Sequence, residues 1–145
     1  MKLGYKIIIA LLIVAAIFYI RYIQNQKLER FEAKAQKLIT DIRHRDYFSF
    51  QEELAPELTQ SVSIEGIQKF MAPLKIERGA NVAVAKIEKQ NSTHRIEGAI
   101  HLKKAEIPFE MLFHEDNSSR LLLLSAKVGN STLESEGSVF PFTKK

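Results

Sequence analysis

The chain has 145 residues, no cysteine and a formal net charge of +4 at pH 7, so disulfides, thiolate metal sites and a thiol nucleophile are excluded. Lys2, Lys6, Arg21, Lys27 and Arg30 against Glu29 put all of that charge in residues 1–30, and the rest of the chain is neutral. A nucleic-acid binder carries its positive charge on the folded domain, so nucleic acid is not an expected partner.

Residues 7–20 are an unbroken apolar run, IIIALLIVAAIFYI. Tyr5, Tyr19 and Tyr22 stand where interfacial aromatics belong, and Lys6 and Arg21 can snorkel. With these flanks residues 3–23 reach about 30 Å as a helix, the thickness of a bilayer core. The expectation is an uncleaved signal-anchor, residues 1–25, making the chain a single-pass protein. The competing reading is a signal peptide cut after Val14-Ala15-Ala16, which would leave Ile17-Phe18-Tyr19-Ile20 as an apolar new terminus. Orientation is read from conflicting signals. Arg21, Lys27, Arg30, Lys34 and Lys37 follow the span, and a literal count of flanking charge would keep them cytoplasmic. A two-lysine start running straight into an apolar stretch has the form of an export signal, and an exported C-terminal domain is the expectation adopted.

Residues 26–130 read as one α+β domain. Leu28, Phe31, Ala35, Leu38, Ile39 and Ile42 follow helical spacing over 26–44. Asp46 is placed to cap a short helix carrying Tyr47, Phe50 and Leu54. Pro56 and Pro73 punctuate the chain, and between them Ser63 caps a third helix with Ile64, Ile67 and Phe70. After Gly79 the period changes to two, giving strands over 82–89, 94–103, 107–115 and 120–128. Their turns fall at Asn91-Ser92, Lys104-Ala105 and Asp116 to Ser119. Residues 131–145 read as a polar tail whose Val139-Phe140-Pro141-Phe142 docks as a short edge piece.

These turns predict a register. The first sets Ile87 against Ile96, Ala85 against Gly98 and Ala83 against Ile100, with Glu88–Arg95 and Lys86–Glu97 as complementary pairs on the other face. The second sets Ile100 against Phe109, Gly98 against Met111 and Ile96 against Phe113. The third sets Glu115 against Arg120, Phe113 against Leu122 and Met111 against Leu124. One face is then apolar throughout, which predicts a curved four-stranded antiparallel meander with helices packed on one face.

The run Ala33-Lys34-Ala35-Gln36-Lys37-Leu38-Ile39, the step Arg45-Asp46-Tyr47-Phe48-Ser49-Phe50, and the stretches Leu54-Ala55-Pro56-Glu57-Leu58 and Val62-Ser63-Ile64-Glu65-Gly66-Ile67 resemble the opening helices of the nuclear-transport-factor-2-like superfamily, a cone of the cystatin-like type. The resemblance covers residues 28–128. It implies a small bacterial exported domain held at the inner membrane, a setting shared by secretion-system assembly factors. Enzymes of the superfamily carry an acid-base pair inside the cone. No polar pair falls on the predicted core face, so no catalytic residue is carried over, and no cofactor is expected.

The remaining candidates have plainer explanations. His44, His94, His101 and His114 lack metal-ligand spacing and read as solvated. His44-Arg45-Asp46 echoes a kinase catalytic loop in a chain too short for a kinase. Glu52, Glu53 and Glu57 read as a solvated helix face. Three glycosylation sequons, at Asn91, Asn117 and Asn130, lie in turns that favour Asn and Ser anyway. Two features point further. Val82, Val84, Leu112, Leu121 and Leu123 fall on the outer sheet face, a candidate surface for a protein partner or a second copy. Ala83, Ala85, Gly98 and Met111 cluster on the core face, where they either admit close packing or line a pocket. The function expected is a membrane-anchored, non-enzymatic interaction or assembly module, the alternative being a small-ligand sensor or enzyme using that pocket.

Overall fold

The computed structural model describes residues 2–134. In chain order they form α1 (Lys2–His44), α2 (Tyr47–Glu52), α3 (Pro56–Ser61), α4 (Ile64–Met71), β1 (Asn81–Gln90), β2 (Thr93–His101), β3 (Glu106–Glu115), β4 (Leu121–Val128) and β5 (Ser131–Glu134).

Helix α1 runs 43 residues without interruption, about 65 Å at 1.5 Å per residue. Its N-terminal portion is long and apolar enough to cross a membrane, and none of that stretch is buried. Burial begins in the second half, where Phe31, Ala35, Leu38, Ile39 and Ile42 are at most 1% exposed. Their spacing is the helical stripe read from the sequence. One helix therefore serves both as candidate span and as a core element.

The helix ends in a Schellman motif. Arg45 takes a left-handed φ of 56°, its N–H donates to Ile42 O, and the Asp46 N–H donates to Asp41 O at 2.9 Å. Glycine usually holds such a position. Here the Arg45 guanidinium compensates by donating to the carbonyls of Met71 and Leu74, which ties the end of α1 to the end of α4. Asp46 then caps α2, accepting from the Ser49 N–H at 3.1 Å, and Ser63 caps α4. Pro56 does more than punctuate: it opens α3 at a first-turn position, where a missing N–H costs nothing.

The sheet is an antiparallel meander of five strands in the order β1-β2-β3-β4-β5. β5 comes from the stretch read as tail. Residues 139–142, expected to dock at an edge, lie outside the described residues. The predicted pairs Ile87–Ile96, Glu88–Arg95 and Lys86–Glu97 form, but a bulge between Val84 and Lys86 then moves the register, so that Val84 faces Gly98 and Val82 faces Ile100. The β2–β3 turn centres on Lys103-Lys104, closed by Leu102 N–H to Ala105 O. That displaces the predicted pairing by two residues, so Gly98 faces Phe109 and Ile96 faces Met111, with every side chain keeping its face.

The β3–β4 turn has the larger consequence. It takes one residue more than predicted, because the Asp116 carboxylate accepts from the backbone N–H groups of Ser118 and Arg120. Glu115 then pairs with Leu121, and Phe113 with Leu123. A one-residue slip turns a strand over, so Leu121 and Leu123 enter the core.

Helix α1 covers part of the β1 edge, and β4 is shared between the Glu53 to Ala55 segment and β5, the strand at the other edge. On β1, the Val82 N–H donates to Gln36 Oε1 at 3.1 Å and the Val84 N–H to Glu32 Oε2 at 3.4 Å, both acceptors on α1. On β4, Ala55 N–H donates to Leu123 O and Leu123 N–H to Glu53 O, each at 2.8 Å, while β5 pairs the rest of the strand. Unpaired edge groups would otherwise invite strand addition.

Candidate functional site

The residues predicted for a partner face do not share one. Leu121 and Leu123 are 4% and 0% exposed in the core. Val82 and Val84 pack against that core from β1, turned inward by the bulge. Leu112 points to the opposite face and is itself 4% exposed. In the observed register Leu122, opposite His114, takes an outward position on β4, and Leu124 is the extra residue of a bulge between Leu123 and Ser125; both are half-buried and neither is part of the core.

The residues predicted to line a pocket also separate. Ala83 pairs with Ala99, and Ala85 is the bulged residue, exposed to solvent. Met111 is 1% exposed. A Cβ on Gly98 would lie 2.2 Å from the Ala83 carbonyl oxygen and 2.9 Å from the Phe109 ring. This glycine is required by close packing, because the neighbouring strand and the Phe109 ring occupy the place a Cβ would take.

Two polar clusters replace these candidates. The first lies between α1 and the α2 segment. Lys34 pairs with Glu53, Lys37 reaches Asp41 at 3.0 Å and Glu53 at 3.3 Å, and Ser49 Oγ lies 3.1 Å from Asp41. Glu53, read from the sequence as solvated, is 8% exposed. Burial, reinforced by Arg120, Lys37 and Arg30, pulls the Lys34 amine down to about 8. A partly neutral amine is a potential nucleophile or proton acceptor. Its pairing with Glu53 makes it a clamp fastening α1 to the segment that covers β4.

The second cluster is a cleft of about 390 Å³ lined by Ile23, Gln26, Lys27, Arg30, Lys89, His94 and Glu115. Arg30 closes one side, donating to Glu115 Oε1 at 3.3 Å and to the Ser119 carbonyl. His94 forms an inner wall. It is 3% exposed, its ring lies 5.0 Å from that of Phe31, and among the described residues neither ring nitrogen makes a hydrogen bond. Nε2 is 3.5 Å from Glu115 Oε2. Burial, aided by Lys27 and Lys89 and opposed by Glu115, holds the imidazole below its usual 6.5. Burial alone would raise Glu115, but the Arg30 hydrogen bond and charge, with His94 adding, hold its carboxyl below the usual range. His94 was expected to be solvated. Its alternation with Ile96 and Ile100 was the available signal, since residues two apart share a strand face.

The other histidines stay at the surface or its margin. His101 Nδ1 lies 2.8 Å from Glu106, its strand partner, and His114 Nδ1 lies 3.3 Å from Ser92 Oγ. Among the described residues no three His, Asp or Glu side chains gather as metal ligands.

No protein-family model matches this sequence, and comparison with curated proteins gives no match. Among solved structures, a designed NTF2-like protein, a substituted form of Rd1NTF2_05, superposes with a TM-score of 0.54 at 18% identity, over 73% of this chain and 99% of its own. The domain therefore has an NTF2-like fold, extended at its N-terminus by a helix of membrane-spanning length.

Proposed function

We propose that this chain is a signal-anchored, single-pass protein of a bacterial inner membrane, whose NTF2-like domain stands on the non-cytoplasmic side as a non-enzymatic interaction or assembly module. The observation that carries the reading is the unbroken course of α1 from apolar segment to core. A domain mounted this way is held close to the bilayer and in one orientation. That suits a part that must meet membrane-bound partners, whether another protein or a second copy. The lysine-rich start supports export, and the fold supports the family setting that the sequence resembles.

Strand addition at β1 is disfavoured by the α1 side chains that engage its edge, and the surface proposed for recognition is the outer sheet face. Its accessible apolar residues are Leu122 and Leu124, both half-buried, beside the buried Leu112. The test is site-specific photocrosslinking in native membranes, with the crosslinker at position 122 and a control at exposed position 57. A discrete adduct from position 122 alone supports the module and identifies its partner by mass. No adduct from position 122, with the domain folded and membrane-bound, sinks it.

A ligand-sensing alternative draws on a different cavity from the one expected, a cleft of about 270 Å³ where Gln36, Thr40 and Arg43 of α1 meet Glu77 and Asn81. It requires a small polar ligand that raises the thermal midpoint of the intact chain but not of its Arg43→Ala variant.

A further inference from the structure

We infer that the cleft formed by Lys27, Arg30, Lys89 and His94 is a binding site for the phosphate of an anionic phospholipid in the membrane that holds the chain. The inference rests on the anchored reading above and adds the ligand to it.

Position is the first argument. Ile23 ends the apolar segment and also lines the cleft. A lipid lying beside the span therefore brings its headgroup to the cleft mouth. Lys89, near the end of β1, and Ser119 of the β3–β4 turn, whose carbonyl accepts from Arg30, meet the same stretch of α1.

Charge is the second. Among the described residues Lys27, Arg30 and Lys89 share the cleft with one carboxylate, Glu115, which Arg30 engages. Lys27 and Lys89 form no ion pair among the described residues, and both side chains are exposed. Two free ammonium groups and a guanidinium around a concave surface suit a phosphate, and each basic residue near an anionic surface contributes about 1 kcal/mol, roughly a fivefold change in affinity.

The third argument is His94. Among the described residues this buried imidazole makes no hydrogen bond and has only Glu115 Oε2 at 3.5 Å from Nε2, which is a costly arrangement for a polar ring. The groups facing it are Lys27 and Arg30 from α1, Lys89 from β1 and Glu115 from β3, with Phe31 stacked on its ring. A phosphate among the cations offsets the positive field that disfavours imidazolium. Lipid binding is then coupled to proton uptake by His94.

The test uses the full chain in lipid nanodiscs, following the His94 ring by NMR across pH. Discs of phosphatidylcholine, of phosphatidylglycerol mixed into phosphatidylcholine, and of phosphatidylcholine with inorganic phosphate form the three arms. With phosphatidylglycerol the His94 pKa rises by about 1 unit, as for a charge at close range. In the double variant Lys27→Gln with Lys89→Gln it does not rise, while the chemical-shift pattern of the fold is kept. An equal rise in that variant reduces the effect to general surface potential and overturns the site. An equal rise with inorganic phosphate in phosphatidylcholine discs overturns the lipid assignment, as does no rise with phosphatidylglycerol. Failure of the chain to enter any disc would instead overturn the anchoring itself.

Discussion

Replacing Leu123 by alanine and, separately, Leu122 by alanine tests the β4 register with two adjacent residues of identical chemistry. Leu123 is 0% exposed and lies opposite Phe113, with its N–H and C=O both engaged by the Glu53 to Ala55 segment. Removing a fully buried leucine side chain costs about 2–5 kcal/mol. Taking about 3 kcal/mol and a urea slope of about 1.5 kcal/mol per molar, the unfolding midpoint falls by about 2 M. Leu122 is half-buried and outside the core, so its loss costs under about 1 kcal/mol and moves the midpoint by less than ~0.7 M. Pulse proteolysis of the full chain in uncharged detergent measures both, because the domain becomes cleavable as it unfolds. If Leu122→Ala proves the more damaging change, the β3–β4 turn is one residue shorter than described and Leu123 faces outward.

Gly98→Ala forces a methyl group against the Ala83 carbonyl and the Phe109 ring and should destabilise by about 1–3 kcal/mol; a neutral or stabilising result in the same assay would reinstate an open pocket there. Arg45→Ala removes the guanidinium bonds to Met71 O and Leu74 O and should cost about 2 kcal/mol, read as a lowered urea midpoint; an unchanged midpoint would mean the left-handed cap holds without them. In uncharged detergent His94 should titrate below 6.5 by NMR, because burial disfavours its cation. The unfolded chain then takes up the proton first, so stability is fully present above pH 6.5 and declines as pH falls toward the lower folded value. His94→Leu should remove that decline, and a wild-type pKa at or above 6.5 would contradict the burial argument.

Local rules were legible where local chemistry decides. The caps at Asp46 and Ser63, the stripe from Phe31 to Ile42 and the Asn91-Ser92 turn each depend on a few neighbouring residues, and each forms as the sequence implies. The partner face and the pocket were not legible, because both depended on register carried across several turns. Ala85 gives no signal for a bulge, and nothing but the reach of the Asp116 side chain lengthens the β3–β4 turn. Each is a shift of one residue, and each inverts the faces of part of a strand, residues 82–84 of β1 and 121–123 of β4. The NTF2-like fold survives these shifts because it depends on strand order and helix packing. A list of surface residues does not survive them. The cleft beside His94 assembles residues as far apart as Ile23 and Glu115, which only the tertiary fold brings together.

Because α1 runs from its apolar segment into the core without a break, the stretch between Ile23 and Phe31 would work as an angular setting in the anchored protein proposed above. Each residue in a helix turns the chain by about 100° and advances it by about 1.5 Å. One alanine inserted next to Asn25 would swing the whole domain about 100° around the span while leaving its core contacts as they are. Four would return it to within about 40° of its starting direction, some 6 Å higher. A role that needs only tethering would be indifferent to these insertions. A role that depends on which side of the domain faces a neighbour in the membrane would be lost and regained with the period of the helix.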